Sequence, residues 1–178
     1  MFVLGIDPGL SRCGYGLVRR DGAGSLEAVA AGVVETDPEA DLADRLLALR
    51  DDLRALLVEL RPESVAVEHV FFQVNARTAM SVGQASGLAL TEAAAAGCEV
   101  AQYTANEVKQ AVVGYGSATK AQVQRMVAAL LHLQTLPRPP DVADALALAV
   151  CHLTTLPLRR AVARAAGAGT EPVAPGCR

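Results

Sequence analysis

The sequence predicts an α/β protein built on a five-stranded mixed sheet with helices on both faces. Three observations carry that expectation. A continuous apolar run at residues 2–6 is followed by two more strand-like segments joined through a tight turn, which makes an antiparallel start. Helical stripes then alternate with short apolar strands, the pattern of a sheet covered by helices. At 178 residues, of which 52% are hydrophobic and 20% charged, the chain can bury one substantial core.

Residues 2–6 read as a buried strand that ends at the Asp7-Pro8-Gly9 turn, leaving Asp7 at the strand's edge. Residues 13–19 and 26–34 form two further strands, linked through Asp21-Gly22 and Gly24. Leucines at 42, 46, 49, 53, 56, 57 and 60 stripe a helix over 41–60, which Pro62 stops. Ser64-Val65-Ala66-Val67 is a short buried strand with Glu68 directly after it. The Ala-rich segment 75–96 predicts a second long helix ending at Gly97. Its Gly83-x-x-x-Gly87 spacing permits close helix approach, either across a dimer or inside the protein.

Residues 99–103 make a fifth strand. Thr104-x-x-Glu107 and Thr119-x-x-Gln122 are capping boxes that open two helices, separated by the flexible Gly114-Tyr115-Gly116-Ser117. That glycine-rich link lacks the Lys-Ser/Thr ending of a phosphate-binding Walker loop. Apolar residues at 123, 126, 127, 130 and 131 mark the inner face of the second capped helix. Pro137-Arg138-Pro139-Pro140 breaks the chain, and Asp141 begins a last helix with apolar positions 142, 146, 149, 150 and 153. After Pro157 the composition turns to Arg, Ala, Gly and Pro, which predicts a disordered or loosely attached tail. The expected organisation is one domain over residues 1–156 and a tail over 157–178.

Net charge is −3, which by itself argues weakly against nucleic acid, but the distribution is uneven. Residues 21–70 are strongly acidic, whereas residues 101–140 hold Lys109, Lys120, Arg125 and Arg138 against Glu107 alone. The second region is either a solvated face or an anion-facing surface. No uninterrupted apolar run reaches the roughly 18 residues of a membrane helix, and the N-terminus shows no secretion signal, so a cytoplasmic protein is expected. Cys13, Cys98, Cys151 and Cys177 form no C-x-x-C pair and read as reduced thiols. His69, His132 and His152 share no metal-ligand spacing and read as structural, with His69 close enough to Glu68 to influence it.

The chemistry lies in carboxylates. Asp7 and Glu68 each end a short apolar strand. If those strands are parallel neighbours, both acids emerge at one edge of the sheet, where open α/β sheets bind ligands. Asp141 and Asp144, three apart at a helix start, can face the same way. Each acid also has a plainer reading. Asp7 before Pro-Gly can initiate a turn, and the α-helical pair can simply complement the helix dipole. Their joint placement favours a shared role. Clustered carboxylates repel and raise one another's pKa values, and a hard divalent cation relieves this. Two such ions in one site are suited to phosphodiester hydrolysis and reverse the local charge toward a polyanion.

Gly5-Ile6-Asp7-Pro8-Gly9, Val67-Glu68-x-x-Phe71, Val108-Lys109-Gln110-x-Val112-Val113-Gly114, Lys120-x-Gln122-Val123-Gln124-x-Met126-Val127 and Asp141-x-x-Asp144-Ala145-Leu146-Ala147 together resemble the RuvC Holliday junction resolvases. The motifs run in the family's order from residue 2 to about residue 153. This resemblance implies an RNase H-like fold and a homodimer whose two sites nick opposite strands of a four-way junction symmetrically, leaving 5′-phosphate and 3′-hydroxyl ends. It implies Asp7, Glu68, Asp141 and Asp144 as catalytic and metal-holding residues. Mg2+ is the expected cofactor, with Mn2+ as a substitute and two ions per site. Cooperation with a branch-migration motor of the RuvA and RuvB type in recombination and repair is also implied.

The chain has three Phe and three Tyr in all, so adjacent Phe71 and Phe72 just past Glu68 stand out. Family resemblance assigns base stacking at the junction centre to Phe71, while Phe72 suits stacking or core packing equally. Lys109 and Lys120 are the two lysines of the chain; every other basic side chain is arginine. Both match family positions that contact DNA, and Lys120 sits just inside a helix start, where backbone N–H groups also favour anions. Two other functions compete with a junction-cutting nuclease. One is a relative of the ATPases and sugar kinases whose opening strands cradle phosphates, although those pair two such domains. The other is a catalytically silent DNA-binding module, against which the complete carboxylate set argues.

Overall fold

A computed structural model describes residues 1–69 and 76–167. The strands are β1 (Phe2–Asp7), β2 (Arg12–Arg20), β3 (Leu26–Glu35), β4 (Ser64–Glu68) and β5 (Glu99–Tyr103). The helices are α1 (Leu42–Leu60), α2 (Ala76–Ala95), α3 (Ala105–Val113), α4 (Lys120–Leu130) and α5 (Pro140–Gly167). The five strands lie in the order β3-β2-β1-β4-β5. β1, β2 and β3 pair antiparallel, and β1, β4 and β5 pair parallel, so the sheet is mixed as expected.

Strand alternation divides the core in two. Val3, Val18, Ala66, Ala101 and Tyr103 point to one face and pack with α3, α4 and α5. Leu4, Ile6, Leu17, Val65 and Val67 point to the other and pack with α1 and α2. Both capping boxes form, with each threonine side chain accepting from the N3 amide and each N3 side chain returning to the cap.

One expectation needs correction. The last helix does not stop near Pro157; α5 continues to Gly167, and residues 168–178 lie outside the described residues. A proline inside a helix removes the bond to the carbonyl four residues back and crowds it, at about 3 kcal/mol. Here tertiary contacts beyond the proline hold the helix. Arg159 donates to the Tyr103 hydroxyl (2.7 Å) with its guanidinium 5.1 Å above the ring, and Arg160 pairs with Glu99 at 3.3 Å.

The same helix bears on the membrane argument. Pro140–Val162 is long and apolar enough to span a bilayer by length and composition, yet two-thirds of its most apolar window is buried inside the protein. It is the central core helix.

Of the two readings of the Gly83 and Gly87 pair, internal packing finds no support among the described residues. Among the described residues nothing lies within 4 Å of where a Cβ would stand at either glycine, whereas Ala85, Ala89 and Ala93 form the buried side of α2.

Candidate active site

Asp7 and Glu68 come together because of register. Gly5 pairs with Ala66 and Ile6 with Val67 across the parallel β1–β4 ladder, so the next residues on each strand are Asp7 and Glu68. Alternation puts Asp7 on the side of Val3 and Glu68 on the side of Ala66, the face covered by α5. Both carboxylates therefore leave the sheet at the same edge and on the same face.

α5 brings the third acid. The helix can lie directly on β1 and β2 because glycines there remove the side chains that would hold it off. A Cβ at Gly5 would overlap the Ala145 carbonyl oxygen and come within 2.9 Å of the Ala149 amide nitrogen. One at Gly14, the register partner of Asp7, would overlap the Asp141 carbonyl. This close approach sets Asp144 facing Asp7 and Glu68. The three acids line one cleft with Lys109 and Lys120, walled by Ala105, Val108, Val123, Ala147 and Leu148.

Electrostatics in the cleft are strained in the way clustered carboxylates should be. The Asp7 carboxyl is pushed up from 3.8 to about 8, first by burial and then by the charges of Glu68 and Asp144; a hydrogen bond with Glu68 raises it further. Lys120 opposes the trend. Its Nζ donates to Asp144 Oδ2 at 2.8 Å, and that bond together with the charges of Asp144, Asp7 and Glu68 raises the ammonium's own pKa. The donor set is all carboxylate oxygen, and its excess negative charge is the kind a hard divalent cation neutralises. The residues fit such an ion.

Asp141 stands apart. Its carboxylate is held by Arg12 at 3.1 Å, and it does not line the cleft. Among the described residues no three acidic, histidine or cysteine side chains converge as a ready-made metal cage. Asp144 is paired with Lys120 and Asp141 with Arg12. Lys109 reaches the cleft wall. Phe71 and Phe72 lie outside the described residues.

His69 donates its backbone N–H to the Tyr103 carbonyl at 2.8 Å, so it follows Glu68 at the sheet edge. His152 is structural, buried and bonded through Nδ1 to the Tyr103 hydroxyl at 2.9 Å. Cys13, Cys98 and Cys151 are free thiols, and burial pushes Cys13 and Cys151 up to about 12. Sequence reasoning missed Arg12. The available signal was period-2 alternation, which places Arg12 on the same side of β2 as Gly14.

Residues 3–152 match the protein family described as "Crossover junction endodeoxyribonuclease RuvC". A relative with that name from Syntrophomonas wolfei is 52% identical over 153 residues, covering 86% of this chain and 88% of its own. The solved Thermus thermophilus RuvC is 38% identical and superposes with a TM-score of 0.82, covering 89% of this chain and 97% of that one. The same T. thermophilus protein in complex with Holliday junction substrate superposes at 0.84, again 38% identical, with 89% and 96% covered.

Proposed function

Because this chain belongs to the RuvC family of crossover junction endodeoxyribonucleases, we propose that it resolves four-way (Holliday) DNA junctions at the cleft formed by Asp7, Glu68 and Asp144. It is a structure-specific endonuclease that acts in homologous recombination and DNA repair. The observation that carries the siting is the meeting of Asp7 and Glu68, 61 positions apart in the chain, at adjacent ends of parallel strands.

Asp7, Glu68 and Asp144 would hold the divalent cation, with Asp141 as the fourth acid of the set. Mg2+ suits these hard oxygen donors, with Mn2+ as a substitute and two ions per site. When bound, the cation supplies a lowered pKa for the attacking water and neutralises charge on the scissile phosphate. Burial and the charges of both Glu68 and Asp144 act together on Asp7. Lys120, exposed at the mouth, and Lys109 draw the phosphate backbone toward the acids. The apolar wall of Val108, Val123 and Leu148 limits water and strengthens the charges behind it.

The cleft holds about 100 Å³ of space open to water. That admits ions and a few waters but falls well short of the roughly 300–1,000 Å³ of a small-molecule pocket. A phosphodiester reaching in from outside fits this shape better than an enclosed nucleotide, which favours the nuclease over the ATPase-like reading.

Phe71 stacks on bases at the junction centre, and Phe72, next to it in sequence, is a second candidate contact. A homodimer supplies two such sites, each nicking one strand and leaving 5′-phosphate and 3′-hydroxyl ends; the open Gly83/Gly87 side of α2 supports a close contact between copies. A branch-migration motor of the RuvA and RuvB type delivers the junction, in the cytoplasm.

The test is cleavage of a synthetic four-way junction with and without divalent metal, beside Asp7→Asn. Paired, metal-dependent nicks that vanish in Asp7→Asn while junction binding persists are expected. Undiminished cleavage by Asp7→Asn, or no metal-dependent nicking of any junction, would refute the reading.

A further inference from the structure

The two acids of the first turns of α5 are each held by a cation, but with different consequences. Asp144 accepts from Lys120 at 2.8 Å and still lines the cleft. Asp141, one turn earlier, is turned onto Arg12 at 3.1 Å and lies outside it. Arg12 opens β2 opposite Glu35 of β3, on the side of the sheet that Gly14 presents to Asp141. Its Nε lies 3.9 Å from the Glu35 carboxylate. The guanidinium is thus shared between two acids from different elements, one near the active site and one at the sheet's margin.

This sharing makes the Asp141 pair exchangeable. Removing one partner of an ion pair is costly where the other is left buried and uncompensated. Arg12 is neither buried nor left alone, since its side chain is 44% exposed and Glu35 remains beside it. A dication held beside Asp7 would offer Asp141 a stronger counter-charge than Arg12 does, leaving Arg12 to Glu35 and water.

We propose that Arg12 is a positioning residue for the metal site: its ion pair with Asp141 withholds that carboxylate from the cleft and sets the cation concentration at which the site fills. The proposal rests on the reading that the four acids form one metal site. Arg12 competes with the cation for Asp141. Deleting its charge frees the carboxylate and tightens metal binding, whereas a lysine at the same place keeps a competing charge.

Titrating Mn2+ calorimetrically into the full chain tests this, using wild type, Arg12→Gln, Arg12→Lys, Asp141→Asn and the Arg12→Gln/Asp141→Asn pair. Arg12→Gln should bind Mn2+ about three- to fivefold more tightly, the size expected for a partly exposed ion pair, with Arg12→Lys near wild type. In the Asp141→Asn background the same substitution should change affinity little, because the carboxylate it acts through is gone.

Equal tightening with and without Asp141 would mean that Arg12 acts through its general field, and the proposal falls. Asp7→Asn separates the two levels. If it loses Mn2+ binding while Arg12→Gln leaves affinity unchanged, the Arg12 proposal alone is refuted. If it binds Mn2+ as wild type does, the carboxylate site itself is wrong and the proposal goes with it. Thermal unfolding of each variant confirms that the exposed substitutions leave the fold intact.

Discussion

Asp7 and Glu68 stand side by side at the ends of the parallel β1–β4 pair, one residue past the matched Ile6 and Val67, and burial together with the charge of Glu68 raises the Asp7 carboxyl. Two carboxyl groups held so close repel unless one keeps its proton or a cation binds between them. The folded protein therefore carries a charge conflict at its sheet edge, and several measurable consequences follow from how that conflict is relieved.

Without metal, stability should fall as pH rises. The Asp7 carboxyl goes from 3.8 to about 8 on folding, so the folded state retains a proton the unfolded chain releases. The contribution is fully present below 3.8 and is lost as pH climbs through about 8. Thermal unfolding in a chelator should show a lower Tm at high pH for wild type and a flatter profile for Asp7→Asn. The variant should melt roughly 2–4 °C higher at the alkaline end, for each kcal/mol of repulsion removed. Adding Mg2+ should raise the wild-type Tm there and leave Asp7→Asn nearly unmoved.

Gly5→Ala should damage both fold and activity. The added methyl would overlap the Ala145 carbonyl and reach 2.9 Å from the Ala149 amide, and backbone cannot rotate aside as a side chain can. A loss of about 3 kcal/mol in denaturant unfolding is expected, the upper end for overpacking. Because α5 must shift outward, Asp144 retreats from Asp7, and junction nicking should fall more than junction binding.

Lys109→Ala and Lys120→Ala should each weaken junction binding similarly across different junction sequences, because both side chains line the cleft as charges rather than as base readers. Each should also reduce the salt dependence of binding by about one phosphate contact. Lys120→Ala additionally frees Asp144, so its residual cleavage should need a different metal concentration from wild type.

Tyr103→Phe should loosen the distal part of α5. The lost hydroxyl contacts His152 Nδ1 (2.9 Å), Thr155 Oγ1 (3.2 Å) and Arg159 (2.7 Å). A cost of about 1–3 kcal/mol is expected, chiefly from leaving the buried His152 without its partner, with faster proteolysis beyond Leu156. His152 gives the same region a pH dependence of opposite sign to that of Asp7. Burial depresses its pKa below 6.5, so its contribution is present above 6.5 and is lost as pH falls below it. In His152→Asn the acid-side decline should flatten.

Much of this architecture was legible in the chain because its signals are local. Apolar run lengths, the Thr104 and Thr119 caps and the glycine stop at Gly97 each depend on a few neighbouring residues, and all appear where expected. Asp7 and Glu68 could be paired because a strand's end and a right-handed crossover constrain them strongly. The limits of α5 were not legible. Pro157 is a correct local reason to end a helix, and it was overridden by Arg159 on Tyr103 and Arg160 on Glu99, contacts 56 and 61 positions apart in sequence.

Local signals along the chain specify the layered α/β fold, the acid-bearing strand ends and the two lysines of the cleft. These follow from hydrophobic periodicity and turn chemistry, which act over short stretches of chain. That Asp144 lines the cleft while Asp141 is claimed by Arg12 depends on long-range packing. Both aspartates begin the same helix with the same chemistry, and what separates them is which cation the packing of α5 on β1 and β2 brings within reach.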